Sequence, residues 1–155
     1  MRTLSQKARY ALRALELLAR EDGRGPVRIA GLARDEELPK KFLEVILLEL
    51  KNHGILNSKR GKGGGYSLRK SSGEITLGQV VRLFDGPLAP LPCASEAHFQ
   101  PCAECRDPST CATREVMKEV RDAIAQVLDK TTVRDLVMRE DELRRSAARA
   151  PMYHI

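Results

Sequence analysis

The residues best equipped for chemistry are four cysteines, Cys93, Cys102, Cys105 and Cys111, which share one nineteen-residue window of a 155-residue chain and leave the rest of it cysteine-free. Their spacing is Cys-x8-Cys-x2-Cys-x5-Cys. Thiolates gathered in this way can hold a zinc ion, ligate an iron–sulfur cluster or exchange electrons as a redox pair. Which of these applies depends on the compartment. The opening stretch carries charges at positions 2, 7, 9 and 13, and no run reaches the roughly 18 apolar residues needed to span a bilayer. The chain is therefore expected to be cytoplasmic with no membrane partner, where ligation or thiol redox chemistry is favoured over structural disulfides. An enzyme is not expected. His53, His98 and His154 are scattered, Asp35-Glu36-Glu37 reads as a solvated turn, and no nucleophile motif or carboxylate pair stands out. The Cys-x2-Cys pair, moreover, lies in a proline-rich loop instead of beside a strand–helix unit.

A second set of chemistry-bearing residues is cationic. Net charge is +6, but residues 1–90 hold 17 Lys and Arg against 10 Asp and Glu (+7), whereas residues 91–155 hold 10 against 11 (−1). The basic excess thus lies entirely in the first part, as expected of a surface that meets phosphates. Its focus is Gly61-Lys62-Gly63-Gly64-Gly65, flanked by Lys59, Arg60, Arg69 and Lys70 and by two short strand-like runs, 55–60 and 66–70. Such a hairpin can be a wing that enters a minor groove or follows a phosphate backbone, because glycine permits close main-chain approach and cations favour the groove's negative potential. A plain flexible hairpin is the competing reading. A nucleotide-binding loop is disfavoured: the glycine spacing misses Gly-x-Gly-x-x-Gly, and no helix opens directly after it.

The elements that must position these residues are mostly helical. Residues 5–22 carry Ala8, Ala11, Leu12, Leu15, Leu18 and Ala19 at helical spacing behind a Ser5 cap, and 22–26 break the helix. A short helix over 28–35 and a third one opening at Pro39, with the stripe Phe42, Leu43, Ile46, Leu47 and Leu50, make a helix-turn-helix with Lys40 and Lys41 on its leading edge. Thr76–Asp85 reads as a capped helix closed by Gly86-Pro87. Five of the eight prolines and all the cysteines fall in 87–112, an irregular loop. Beyond it a long helix over about 110–129 bears Val116, Met117, Val120, Ala123, Ile124, Val127 and Leu128 on one face. Pairing of Val116, Val120, Ile124 and Val127 with a second copy is expected, giving a homodimer whose two-fold symmetry suits a palindromic operator in double-stranded DNA. Packing against the first helix is the alternative. A last helix is expected over 131–143.

The opening Met1-Arg2-Thr3-Leu4-Ser5-Gln6-Lys7-Ala8-Arg9-Tyr10-Ala11-Leu12, the run Arg60-Gly61-Lys62-Gly63-Gly64-Gly65-Tyr66, and a cysteine loop ahead of a long helix together carry a resemblance. By them the chain, from residue 1 to about 138, resembles the bacterial winged helix-turn-helix regulators of the IscR/NsrR type, the iron–sulfur cluster regulator family. The resemblance implies a mostly α fold with a small β-hairpin wing and a long dimerisation helix. It divides the chain into a DNA-binding domain (1–86), a cluster-binding loop (87–112), a dimerisation helix with a C-terminal helix (113–145) and a flexible tail (146–155). It implies a transcription regulator, a repressor, whose DNA affinity is set by a 2Fe-2S or 4Fe-4S cluster sensing redox, iron or nitric oxide status. It places Lys41 and Glu44 at base-approaching positions and Arg60 at the wing tip. With Lys40, Lys59, Lys62 and Tyr66 these form the expected DNA-contacting set, and Glu44 could accept from a cytosine amino group.

At the cysteines the chain departs from that pattern. The three thiolates usual in the family match Cys93, Cys105 and Cys111, while Arg114 and Arg9 stand where relatives supply a histidine or an aspartate as fourth ligand. A guanidinium offers no lone pair. Cys102 is the economical fourth ligand, His98 a second candidate. Arg106, Arg114 and the start of the long helix favour thiolate charge at Cys111. A zinc site, a cluster-free switch between Cys102 and Cys105, and a regulatory subunit docking on a metabolic enzyme are the alternatives.

Overall fold

The computed structural model describes residues 4–35 and 39–149. Residues 1–3, 36–38 and 150–155 lie outside it, and with them Glu36, Glu37, His154 and most of the expected tail.

Helix α1 (Gln6–Arg20) opens where Ser5 Oγ accepts from the Ala8 amide, and buries Ala8, Ala11, Ala14, Leu15 and Leu18. The alanines let neighbouring helices approach closely. Helix α2 (Ile29–Asp35) contributes Leu32, and α3 (Lys40–Asn52) buries Leu43, Ile46, Leu47 and Leu50, all fully inaccessible to solvent. Pro39 is the N-cap of α3, one position earlier than its reading as the first helical residue; its extended ψ of 117° still directs the chain into the helix. Strands β1 (Leu56–Lys59) and β2 (Gly65–Leu68) pair antiparallel in the register Leu56 with Leu68 and Lys59 with Gly65. Helix α4 (Leu77–Asp85) carries a capping box: Thr76 Oγ1 accepts from the Gln79 amide and Gln79 Oε1 from the Thr76 amide. Its C-cap Gly86 has φ +78°, a left-handed conformation that stops the helix.

Helix α5 (Ala112–Lys130) leans on α4 and on a 3-10 turn at Pro92–Ala94, and none of its residues is buried. Val116, Val120 and Val127 are 51%, 37% and 62% exposed, so the apolar face is left open. The element lying along α1 is α6 (Val133–Arg149). Arg20 of α1 holds it through Glu140 at 2.7 Å and Asp141 at 2.8 Å.

Two expectations about this C-terminal part change. The last helix begins at Val133, not 131, because Thr132 is its cap: Thr132 Oγ1 accepts from the Asp135 amide and Asp135 Oδ2 from the Thr132 amide. It then continues through the strong helix formers Ala147, Ala148 and Arg149, so 146–149 are helix and not tail. Nor does α6 form a module apart from the first domain. Val133 is fully buried in the same core as Leu15, Leu43 and Val80. Backbone bonds from Leu77 N to Thr131 O and from Val133 N to Ile75 O, each 2.9 Å, stitch the starts of α4 and α6 together.

Candidate nucleic-acid interface and cysteine loop

Burial of the Leu43, Ile46, Leu47, Leu50 stripe fixes the rotation of α3, and 3.6-residue periodicity then turns Lys40, Lys41, Glu44, Val45, Leu48 and Lys51 to solvent. Beside this face stands the β1–β2 hairpin. Its tip is closed by a bond from the Gly64 amide to the Gly61 carbonyl at 2.9 Å, and the tip end of β2 is tied to the segment before α2 by two 2.8 Å bonds exchanged between Val27 and Tyr66. That docking requires Gly65: a Cβ there would stand 2.3 Å from the Val27 carbonyl oxygen. Between helix and hairpin lies a cleft of about 480 Å³. Of the residues expected to meet DNA, it brings together Lys40, Glu44, Lys59, Arg60 and Tyr66; Lys41 and Lys62 are exposed but do not line it. Arg28, Leu48 and Lys51 line it too, and sequence reasoning missed all three. Arg28 and Lys51 were legible as cations at a helix boundary. Leu48 was not, since an aliphatic residue near a buried stripe reads as core. The arrangement is a cation-rimmed slot with one carboxylate acceptor, suited to the edges and backbone of a duplex.

The cysteines occupy the opposite functional pole. Cys93, in the 3-10 turn, is 3% exposed, and the Cys102 sulfur lies 3.8 Å from its Sγ. The Cys105 amide donates to the Cys102 carbonyl at 3.1 Å. Cys111 is the N-cap of α5, at the positive end of the helix, and makes no side-chain capping bond. The Cys93 sulfur, with lesser contributions from burial and from the charges of Cys105 and Cys111, holds the Cys102 thiol above its ordinary range. Charge on Cys93, Cys105 and Cys111 thus opposes ionisation of Cys102, a repulsion that a thiophilic cation would relieve. That chemistry fits a cluster or a thiophilic metal. The cage is not closed, however: among the described residues no group of three His, Cys, Asp or Glu side chains stands at metal-holding spacing. The Cys102 sulfur, a partner of Cys105 in the alternative thiol switch, is 3.8 Å from that of Cys93.

Arg114, at the position of a fourth ligand in relatives, turns to oxygen. Its Nε donates to the Cys93 carbonyl at 2.8 Å and its Nη1 to the Pro108 carbonyl at 3.3 Å, while the guanidinium lies 5.5 Å from the Phe99 ring centroid. Two turns on, Arg121 donates to the Ala94 carbonyl at 2.6 Å and pairs with Glu96 at 3.0 Å. These two arginines bolt the cysteine loop to α5. Arg9 is exposed on α1, and His98 lines a pocket of about 240 Å³ whose walls include none of the cysteines.

A three-helix core with a hairpin docked beside an exposed, cationic third helix defines a winged helix-turn-helix protein. Residues 4–139 match the family described as "Rrf2: Iron-dependent Transcriptional regulator". The chain belongs to this family and is a DNA-binding transcription regulator, not an enzyme. It is 41% identical over 137 residues to an HTH-type transcriptional regulator of Rhodobacter capsulatus named rrf2-like, covering 86% of this chain and 91% of the relative. The HTH-type transcriptional regulator CymR of Bacillus subtilis is 33% identical over 89% of this chain and 91% of its own. The solved structure of CymR, described as the global cysteine regulator, superposes with a TM-score of 0.74 over 89% of this chain and 98% of that one. The T. potens IscR structure gives 0.73 at 26% identity, over 98% of this chain and 95% of the other. No helix among the described residues is long and apolar enough to cross a membrane.

Proposed function

We propose that the protein is a homodimeric repressor that binds a palindromic operator and whose DNA affinity is set by an iron–sulfur cluster held by Cys93, Cys102, Cys105 and Cys111. The observation carrying this reading is the join between loop and helix: Cys111 is the N-cap of α5, the helix whose apolar face is left uncovered, and Arg114 of that helix bonds the carbonyl of Cys93, whose sulfur lies 3.8 Å from that of Cys102. When bound, the cluster would supply a redox-active centre that oxygen, nitric oxide or iron shortage can alter. The chain's own contribution is to hold four thiols around the α5 N-terminus and to transmit their arrangement through Arg114 and Arg121 to the helix that pairs the protomers. Lys40, Lys41, Glu44, Lys59, Arg60, Lys62 and Tyr66 would contact DNA, and Val116, Val120, Ile124 and Val127 the second copy.

A second reading rests on the 3.8 Å separation of the Cys93 and Cys102 sulfurs, which suits a cluster-free switch through a disulfide between them. Resemblance to CymR, a cysteine regulator by its description, keeps that reading in view. Anaerobic purification with visible absorption and iron, sulfide and zinc analysis separates them. Iron and sulfide in near-equal amounts, with DNA retention that changes on cluster loss, is the expected result. Zinc alone, or thiols titrating fully with no iron before or after reconstitution, would overturn the cluster reading.

A further inference from the structure

Six aliphatic side chains project from α3, and the fold uses four. Leu43, Ile46, Leu47 and Leu50 are wholly buried, whereas Val45 and Leu48 are 50% and 49% exposed. The two are three residues apart, so they are neighbours on one side of the helix. Their surroundings are charged: Lys41 and Glu44 precede Val45, Lys51 follows Leu48, and Leu48 shares the cleft wall with Glu44, Arg28 and Arg60. An apolar pair left in water amid cations, on the helix that faces the wing cleft, implies an occupant that is polyanionic at its edges and offers carbon at its centre. Duplex DNA has that composition in its major groove, where the thymine 5-methyl is the carbon group among the four base edges.

We propose that Val45 and Leu48 read thymine methyl groups, making them specificity-determining residues of the operator; this rests on α3 being the recognition helix. Glu44 and Leu48, one turn apart, are separated by about 6 Å along the helix. With base pairs about 3.4 Å apart, the thymine read by Leu48 lies within about two base pairs of the amino-bearing base that Glu44 accepts from. The surrounding lysines and arginines supply sequence-independent affinity; the aliphatic pair supplies a choice of base.

The test removes the methyl alone. Full-length dimer, purified anaerobically, selects a half-site from a random-core duplex library, and the selected duplex is resynthesised with uracil at one thymine at a time. One or two half-site positions are expected at which uracil weakens binding about three- to fivefold, the loss of one buried methyl. Val45→Ala and Leu48→Ala should each lose that discrimination at one position while Glu44→Ala keeps it, with circular dichroism showing all three folded. A defined half-site in which uracil is tolerated at every thymine overturns the proposal. So do alanine variants that discriminate as the parent does, which would assign the pair to a protein partner. Failure to enrich any duplex would instead overturn the reading of α3 itself.

Discussion

Replacing Gly65 by alanine tests whether the wing is held as the structure shows. Gly65 has φ +155°, and an added Cβ would lie 2.3 Å from the Val27 carbonyl oxygen, 2.5 Å from its carbon and 3.0 Å from the Arg28 nitrogen. All three are backbone atoms, so relief requires β2 to move away from residue 27, breaking the two 2.8 Å bonds between Val27 and Tyr66. Each such bond contributes about 1 kcal/mol net, and a side chain forced into that region of backbone space costs about 1–3 kcal/mol. The sum is about 3–5 kcal/mol, against a total stability of about 5–15 kcal/mol. Gly65→Ala should therefore fold, with its Tm lowered by roughly 6–20 °C, but with a wing that no longer presents Arg60 and Lys62 to DNA. If each of these cations meets one phosphate, the slope of log K against log salt becomes shallower by about 2. Urea denaturation and fluorescence anisotropy on an operator duplex at four salt concentrations measure both effects. Gly63→Ala is the control. Gly63 also has positive φ, at +79°, yet nothing stands within 4 Å of its Cβ position, so it should lose only about 1 kcal/mol and keep the salt slope. A Gly65→Ala protein with unchanged stability and slope would refute the wing docking.

The remaining expectations are narrower. Cys102→Ser should lower iron and sulfide per protomer and shift the visible spectrum; an unchanged spectrum would assign the fourth ligand elsewhere. Arg121→Ala removes the bonds to Ala94 and Glu96 from a side chain only 15% exposed, and should cost about 1–3 kcal/mol while speeding limited proteolysis between 95 and 111; an unaltered cleavage rate would count against the bolt. Val120→Glu with Val127→Glu places charge on the open face of α5 and should yield monomers in sedimentation, with operator affinity reduced roughly tenfold or more; a persisting dimer would point to another interface. Bonding to Arg82 holds the Asp129 carboxyl below its usual range. Its contribution is therefore complete above the ordinary aspartate pKa and is lost as pH falls through the lowered value. Both side chains are over 40% exposed, so that contribution is under about 1 kcal/mol. Melts of Asp129→Asn and parent should accordingly converge as pH falls from 6 to 2, and a gap widening toward acid would reverse the assignment.

Local rules made most of the DNA-reading half legible. Helical spacing in α1 and α3 announced Ala8, Ala11, Leu15, Leu18, Leu43, Ile46, Leu47 and Leu50, which prove buried; it missed Ala14 and included Leu12, Ala19 and Phe42, which are half-buried. Ser5 and Thr76 proved to be caps, and the hairpin bounds shifted by only one or two residues because glycines delimit them. What local rules could not supply were contacts made across more than a hundred residues. The α1–α6 packing depends on Arg20 reaching Glu140 and Asp141, and no periodicity within α6 says which face of the domain it will cover. It is α6 that lies along α1, while Val116, Val120 and Val127 of α5 stay exposed.

The cysteine loop shows a different limit. Spacing along the chain offered Cys102 with Cys105 as an alternative reactive pair; the turn between them exists, and the Cys102 sulfur also comes to 3.8 Å from that of Cys93, nine residues earlier. The anchor for that fold is Arg114, a residue that sequence comparison could register only as a missing ligand. A histidine in its place could donate an electron pair to a metal. The arginine instead donates two hydrogen bonds to main-chain carbonyls on either side of the loop, Cys93 and Pro108, so a position where the family resemblance implies a ligand here braces the loop's frame. If the brace replaces the ligand, Arg114→His should relax the loop and offer a new donor in one step. Arg114→Lys should loosen the loop without offering one, because an ammonium reaches a single carbonyl and has no free lone pair. Iron content and spectrum that change for both histidine and lysine would show that geometry is what the arginine supplies; a change for histidine alone would show that ligand count decides, and would refute the brace.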